Sequence, residues 1–250
     1  MYAHRATHGP VDLAFTDRYG GVSGVPFEEL NLALVSEDDA ADRAENLRRV
    51  LADFAPGARL ADMHQVHGAT VQMVQGPQGP QGPDGAGGRE GTPPECDALV
   101  TADADVVLMV RVADCVPVLL ADPDHGVIGA AHAGRSGVAA GVVPAAVERM
   151  RALGADRVTA WVGPHVCGAC YEVPAALQEE VAAREPTTRS TTSWGTSALD
   201  LGAGVRAQLA RAGVEVVDVS RCTRESADLY SHRRDGASAG RSAGLIRRRS

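Results

Sequence analysis

The chain contains no lysine, and all 24 of its basic residues are arginine. Every fixed side-chain cation is therefore a guanidinium, the group that meets phosphate and carboxylate through paired hydrogen bonds. Aromatic residues fill only 4% of the 250 positions, so alanine, valine and leucine must make most of the core. No apolar run reaches the roughly 18 residues that a membrane span needs. Met1 to Pro10 lacks the apolar centre of a signal peptide. These absences predict a cytoplasmic protein with no membrane partner. A net charge of −8 removes any general attraction to nucleic acid or anionic lipid. The one basic cluster, Arg247-Arg248-Arg249, reads as a solvated end. Disulfide-framework spacing is missing too. The five cysteines, Cys96, Cys115, Cys167, Cys170 and Cys222, are odd in number and scattered, as in a reducing compartment.

What is present is an ordinary globular composition, 44% hydrophobic and 22% charged, on a chain long enough for one large domain. Val11–Thr16 reads as a strand, Arg18–Pro26 as a glycine-rich turn, Asp42–Phe54 as a helix and Ala69–Val74 as an alternating strand. Gln75 to Glu95 is Gly, Pro and Gln with almost nothing to bury, and reads as a surface loop inserted in the domain. Asp105–Val112, Val116–Ala121 and Val127–Ala131 are valine-rich and read as buried strands. Gly137–Leu153 reads as one helix and Arg157–Val162 as a strand. Pro174–Arg184 is a helix begun by proline and stopped before Pro186. Pro186–Thr196 reads as a polar loop, Ala198–Ala212 as a helix ended by Gly213, and Val214–Val219 as a last strand. Without clean βαβ repetition, the expected class is α+β or mixed α/β.

Three polar groups stand where these strands meet loops: Met63-His64-Gln65-Val66-His67-Gly68, Ala113-Asp114-Cys115-Val116-Pro117 and Ala131-His132-Ala133-Gly134. One thiolate and two imidazoles, from Cys115, His67 and His132, make a tripod for Zn²⁺ with a fourth position open, and the same set accepts copper. His64 and His67, three apart on extended backbone, point to opposite faces, so only His67 is expected at the metal. Spacing alone does not separate this reading from two satisfied structural histidines and a small buried cysteine. Cys167-Gly168-Ala169-Cys170 is a CxxC with no second CxxC to complete a four-cysteine site, and is expected to be structural or incidental.

Seven stretches, in order along nearly the whole chain, resemble the YfiH or laccase-domain family. They are Asp17-Arg18-Tyr19-Gly20-Gly21-Val22-Ser23, Asn31-Leu32-Ala33-Leu34, Gln65-Val66-His67-Gly68, Ala113-Asp114-Cys115-Val116-Pro117-Val118, Ala131-His132-Ala133-Gly134, Cys170-Tyr171-Glu172-Val173 and Tyr230-Ser231-His232-Arg233-Arg234-Asp235 with Gly240-Arg241. The resemblance implies mixed sheets flanked by helices and a metal held by His67, Cys115 and His132. It also implies phosphorolysis of purine nucleosides and deamination of adenosine, with copper-dependent phenol oxidation, implied by the family's laccase label, as the alternative. Nucleoside and phosphate are then the small-molecule partners. Where the family usually continues with Trp-Arg-Gly after its His-Ala-Gly, this chain has Arg135-Ser136-Gly137, so Arg135 is expected to stand in for the shifted arginine. Arg18 and Arg233 are candidates for anion contact, against structural ion pairs. Asn31 is a candidate for substrate contact, against a turn cap. Asp114 is a candidate proton shuttle, against a local backbone brace. A multi-copper oxidase would need many clustered histidines. The chain has 8, and His4, His8, His125 and His165 fall in no cluster. A metal-free cysteine hydrolase, with Cys115 as nucleophile and His67 or His132 as base, uses the same residues.

Overall fold

The computed structural model describes residues 1–76 and 93–250, so most of the expected Gln75–Glu95 loop lies outside the described residues. In chain order the elements are β1 (Tyr2–His8), β2 (Val11–Thr16), α1 (Ala40–Phe54), β3 (Arg59–Ala61), β4 (Val71–Met73), β5 (Ala98–Thr101), β6 (Val106–Val112), β7 (Val116–Asp122), β8 (Val127–Ala133), α2 (Arg135–Ala140), α3 (Val142–Ala152), β9 (Thr159–Val162), α4 (Ala175–Ala182), β10 (Arg189–Thr191), β11 (Ser197–Leu199), α5 (Leu201–Arg211), β12 (Glu215–Asp218), α6 (His232–Asp235) and β13 (Ser242–Arg248). One sheet runs β1-β2-β13-β6-β3, a second runs β12-β9-β7-β8-β5-β4, and β10 and β11 form a separate hairpin.

Side-chain alternation along the strands sets the layering. Leu108 and Val110 of β6 pack with Leu119 and Ala121 of β7 and with Ile128 of β8, in a core between the two large sheets. Their neighbours point the other way. Val107 and Met109 meet Val50 and Phe54 of α1, while Val118 and Leu120 meet Val142, Ala146 and Val205 of α3 and α5. The result is helix, sheet, sheet, helices: a single mixed α/β domain of the expected class. Strands buried on both faces explain why β6, β7 and β8 read as unbroken apolar runs. Among the described residues no helix is long and apolar enough to cross a membrane.

Several boundaries differ from the sequence expectation. The helix expected over Gly137–Leu153 is two, α2 and α3, because Gly141 takes left-handed backbone with φ 81° between them. The loop expected over Pro186–Thr196 carries β10, and the helix expected from Ala198 starts at Leu201 because Ala198 and Leu199 belong to β11. Arg247-Arg248-Arg249 is not a solvated end. β13 lies between β2 and β6, with Arg247 and Arg249 paired to Asp12 and Arg248 donating to the Ala102 carbonyl.

Asp122 closes β7 and is wholly buried. Its carboxylate accepts the N–H groups of Asp124, His125, Asp156 and Arg157 and faces the His125 ring. Burial pushes its pKa up, but these donors outweigh burial and hold it below the usual carboxylate range. A depressed carboxylate stabilises the fold above its unfolded pKa and loses that contribution as pH falls through the folded value. Asp122→Asn is expected to cost about 2 kcal/mol at neutral pH. The deficit against wild type should shrink in acid. Urea unfolding at about pH 7 and about pH 2.5, below the ordinary carboxylate range, checks both, and a pH-independent deficit would rule out the charge as the cause.

Candidate active site

β6 belongs to one large sheet and β7 to the other, so Ala113-Asp114-Cys115 is the short crossing between them. β8 pairs beside β7 with His132 opposite Pro117, which sets His132 next to that crossing. His67 comes from the connection between β3 and β4. Gln65 anchors this connection to β6 through two bonds of 2.8 Å, one given to the Arg111 carbonyl and one taken from the Arg111 N–H. The ligand atoms of His67, Cys115 and His132 all lie within 4.8 Å of one another. The two imidazole rings stand nearly perpendicular, with centroids 4.8 Å apart.

Asp97, fully buried just before β5, organises this trio. Its carboxylate accepts the consecutive N–H groups of Val66, His67 and Gly68 at 3.3, 2.9 and 2.6 Å. Backbone that turns successive N–H groups onto one anion requires a left-handed residue, and His67 supplies it at φ 61°. The same carboxylate takes the His132 Nδ1 proton at 2.8 Å. An ionised carboxylate only accepts, so Nδ1 carries a hydrogen, and Nε2 is the ring nitrogen left to serve the centre. Gly134 gives the trio room. A Cβ there would lie 2.9 Å from His67 Cδ2 and 3.2 Å from Cys115 Sγ.

Electrostatics follow from this packing. Burial pushes the Cys115 thiol up, but hydrogen bonds from His132 and His67 bring it down to about 6. Burial presses His132 down, while Asp97 and Cys115 raise it to about 9. A thiolate beside two imidazoles, one backed by a carboxylate, suits a borderline-soft divalent cation such as zinc, and copper as well. His67 and Cys115 line a cleft of about 460 Å³ together with Asp114, Arg135, Tyr171, His232, Arg233 and Arg241, and His132 is buried behind them.

Residues 12–249 match a family described as multi-copper polyphenol oxidoreductase laccase. A purine nucleoside phosphorylase of Streptomyces coelicolor is 50% identical, over 98% of this chain and 99% of its own. One from Mycobacterium tuberculosis is 45% identical, over 92% and 89%. The chain belongs to this family. Its fold superposes on the crystal structure of YlmD from Geobacillus stearothermophilus with a TM-score of 0.83 at 31% identity, covering 100% of this chain and 99% of that one.

The other candidates from the sequence divide between the cleft and the frame. Arg135 lines the cleft and has no hydrogen-bond acceptor among the described residues. Arg233 lines it too, donating to the Glu172 carbonyl at 2.7 Å and stacking 4.5 Å from the Tyr171 ring centroid. Asp114 reaches the cleft with both oxygens engaged, by the Thr223 hydroxyl at 2.5 Å and the Arg233 N–H at 2.7 Å. This is the bracing geometry rather than that of a free shuttle. Arg18 lies outside the cleft lining, bonded to the Glu28 carbonyl and stacked over Tyr230. Asn31 is wholly buried; it gives its amide to Asp38 and takes the N–H groups of Ala33 and Arg241. Asn31 thereby positions Arg241, which lines the cleft and which sequence reasoning did not single out. Asp97 was missed as well. Its one signal was an acidic residue at the mouth of the apolar run Ala98-Leu99-Val100.

Proposed function

We propose that this chain is a metal-dependent purine nucleoside phosphorylase acting on adenosine, inosine, guanosine or methylthioadenosine. The observation that carries this reading is one cleft lined by His67 and Cys115 of the His, Cys, His trio and by Arg135 and Arg233. Support comes from relatives of matching length that bear the phosphorylase name. Phosphorolysis breaks the bond from ribose C1′ to the base nitrogen and forms a bond from C1′ to a phosphate oxygen. The base leaves with the electron pair and takes up a proton.

Arg135 and Arg233 hold the phosphate, since guanidinium groups match its oxygens in pairs. Asp114 positions Arg233 through its backbone N–H rather than touching substrate. Arg241 completes the cationic side of the cleft. His232 is on the cleft wall without a hydrogen-bond partner for its ring among the described residues, and is placed to pass a proton to the departing base. His67, Cys115 and His132 would hold zinc or copper, which would supply Lewis-acid chemistry at their end of the cleft.

Among the described residues no second cluster of histidines stands ready for the further coppers of a multi-copper oxidase. His125 is taken by Asp122, the His165 Nδ1 by the Gly163 carbonyl, and His8 packs on Trp161. Wild type incubated with inosine or adenosine is expected to release free base only when phosphate is added, with ribose 1-phosphate in equal amount. Ammonia from adenosine without phosphate would assign deamination to the cleft instead. No product from any nucleoside would overturn the reading.

A further inference from the structure

Two turns outside the cleft face each other. In Cys167-Gly168-Ala169-Cys170, the Cys170 and Tyr171 N–H groups return to the Cys167 carbonyl at 3.0 and 3.1 Å. In Cys222-Thr223-Arg224-Glu225, the Ser226 N–H returns to the Cys222 carbonyl at 3.0 Å. The backbones of the two segments are tied by His165 N–H to Arg221 carbonyl and Thr223 N–H to His165 carbonyl, both 3.1 Å. This pairing brings Cys167, Cys170, Cys222 and Glu225 together, each offering one ligand atom, with all four atoms within 4.8 Å of one another. None of the cysteines is in a disulfide.

We infer that these four residues form a second metal site, a closed structural centre for Zn²⁺ or another thiophilic divalent ion. Four ligands leave no open position, which is the structural rather than the catalytic form of a zinc site. The spacing fits as well. Each turn supplies ligands at i and i+3, as zinc knuckles do, with a glutamate where the second CxxC would have its last cysteine. Tetrahedral bonds of about 2.3 Å to sulfur and about 2.0 Å to oxygen give S···O edges of roughly 3.5 Å, and Cys170 Sγ lies 3.5 Å from Glu225 Oε1. The Cys167 N–H points at Cys222 Sγ, 3.5 Å away, which ties the first turn to the second.

The site would staple the segment after β9 to the segment after β12. Both shape the cleft. The first delivers Val166 and Tyr171 to its lining, and the second delivers Thr223, whose hydroxyl holds Asp114. The inference stands apart from the proposed reaction, because its readout is metal, not turnover.

The test is elemental analysis of full-length protein purified under reducing conditions and reconstituted with zinc alone. Wild type should hold two equivalents, and Cys115→Ala and Cys222→Ser one each. Glu225→Gln should keep the three sulfurs but release the second zinc at lower chelator concentration than wild type. This covers the case in which Cys222→Ser fails to fold. In cobalt-loaded Cys115→Ala, thiolate-to-cobalt charge-transfer absorption should be present, and adding Cys222→Ser should remove it. One zinc in wild type and none in Cys115→Ala would overturn the inference. So would a chain mass lighter by two hydrogens from a disulfide that survives the reducing preparation.

Discussion

Cys115→Ala is expected to abolish phosphorolysis, lowering kcat/KM by at least about 10³-fold, and to lose one equivalent of metal while the chain stays folded. A bound cation contributes several kcal/mol of transition-state stabilisation, and about 4 kcal/mol is a factor of roughly 10³. Cys115 is the one anionic ligand of the trio. Without it, two imidazoles remain, and His67 is on an exposed connection, held at its own backbone N–H by Asp97. Folding should tolerate the change. Alanine fits wherever cysteine fits, and the ladder from Val116 onward does not use the thiol. Metal analysis alongside kinetics separates the two chemistries available to this side chain. Loss of metal together with activity marks Cys115 as a ligand. Loss of activity with the metal retained would mark it as the nucleophile of a cysteine hydrolase, a role that its thiol, drawn down to about 6 by His132 and His67, could also serve.

The sequence made the double-faced strands legible because burial on both sides leaves only apolar residues to read. It made His67, Cys115 and His132 legible because each closes a short motif at a strand end. What it hid depends on distant pairing. β13 ends in Arg247 and Arg248, and nothing local reveals that Asp12, at the other end of the chain, neutralises that strand. β1, with no fully buried residue, has no apolar signature. The four-layer order was hidden for the same reason, since β2, β6 and β13 meet from remote positions. Arg18 and Asn31 had the right chemistry for a substrate contact. Whether such groups face a ligand or the frame depends on partners such as Glu28 and Asp38 that no spacing rule predicts. Glu225 gives no sequence signal for a different reason: a carboxylate stands where a second CxxC would end in cysteine.

Asp97→Asn is expected to weaken metal binding at the His67, Cys115, His132 centre by about 10- to 100-fold, the usual cost of removing a carboxylate behind a ligating histidine. The asparagine is nearly isosteric, so the argument concerns protons. Oδ1 accepts from His67 N–H and His132 Nδ1–H, and Oδ2 accepts from Gly68 N–H and, at longer range, Val66 N–H. An amide has one acceptor end. If its NH₂ takes the Oδ2 place, it opposes the Gly68 N–H, now 2.6 Å from that oxygen, and the left-handed turn at His67 loses its anchor. If the NH₂ takes the Oδ1 place, it opposes the His67 N–H, and His132 can pair with it only by moving its own proton to Nε2. That tautomer has no lone pair for the metal. Either arrangement also leaves buried donors facing donors, costing about 3 kcal/mol of folding stability. Competition against a chromophoric chelator measures the first effect, and urea unfolding of metal-free protein the second. Wild-type affinity in Asp97→Asn would mean that His132 is oriented by its strand alone. A stability loss without an affinity loss would confine Asp97 to bracing the turn at His67.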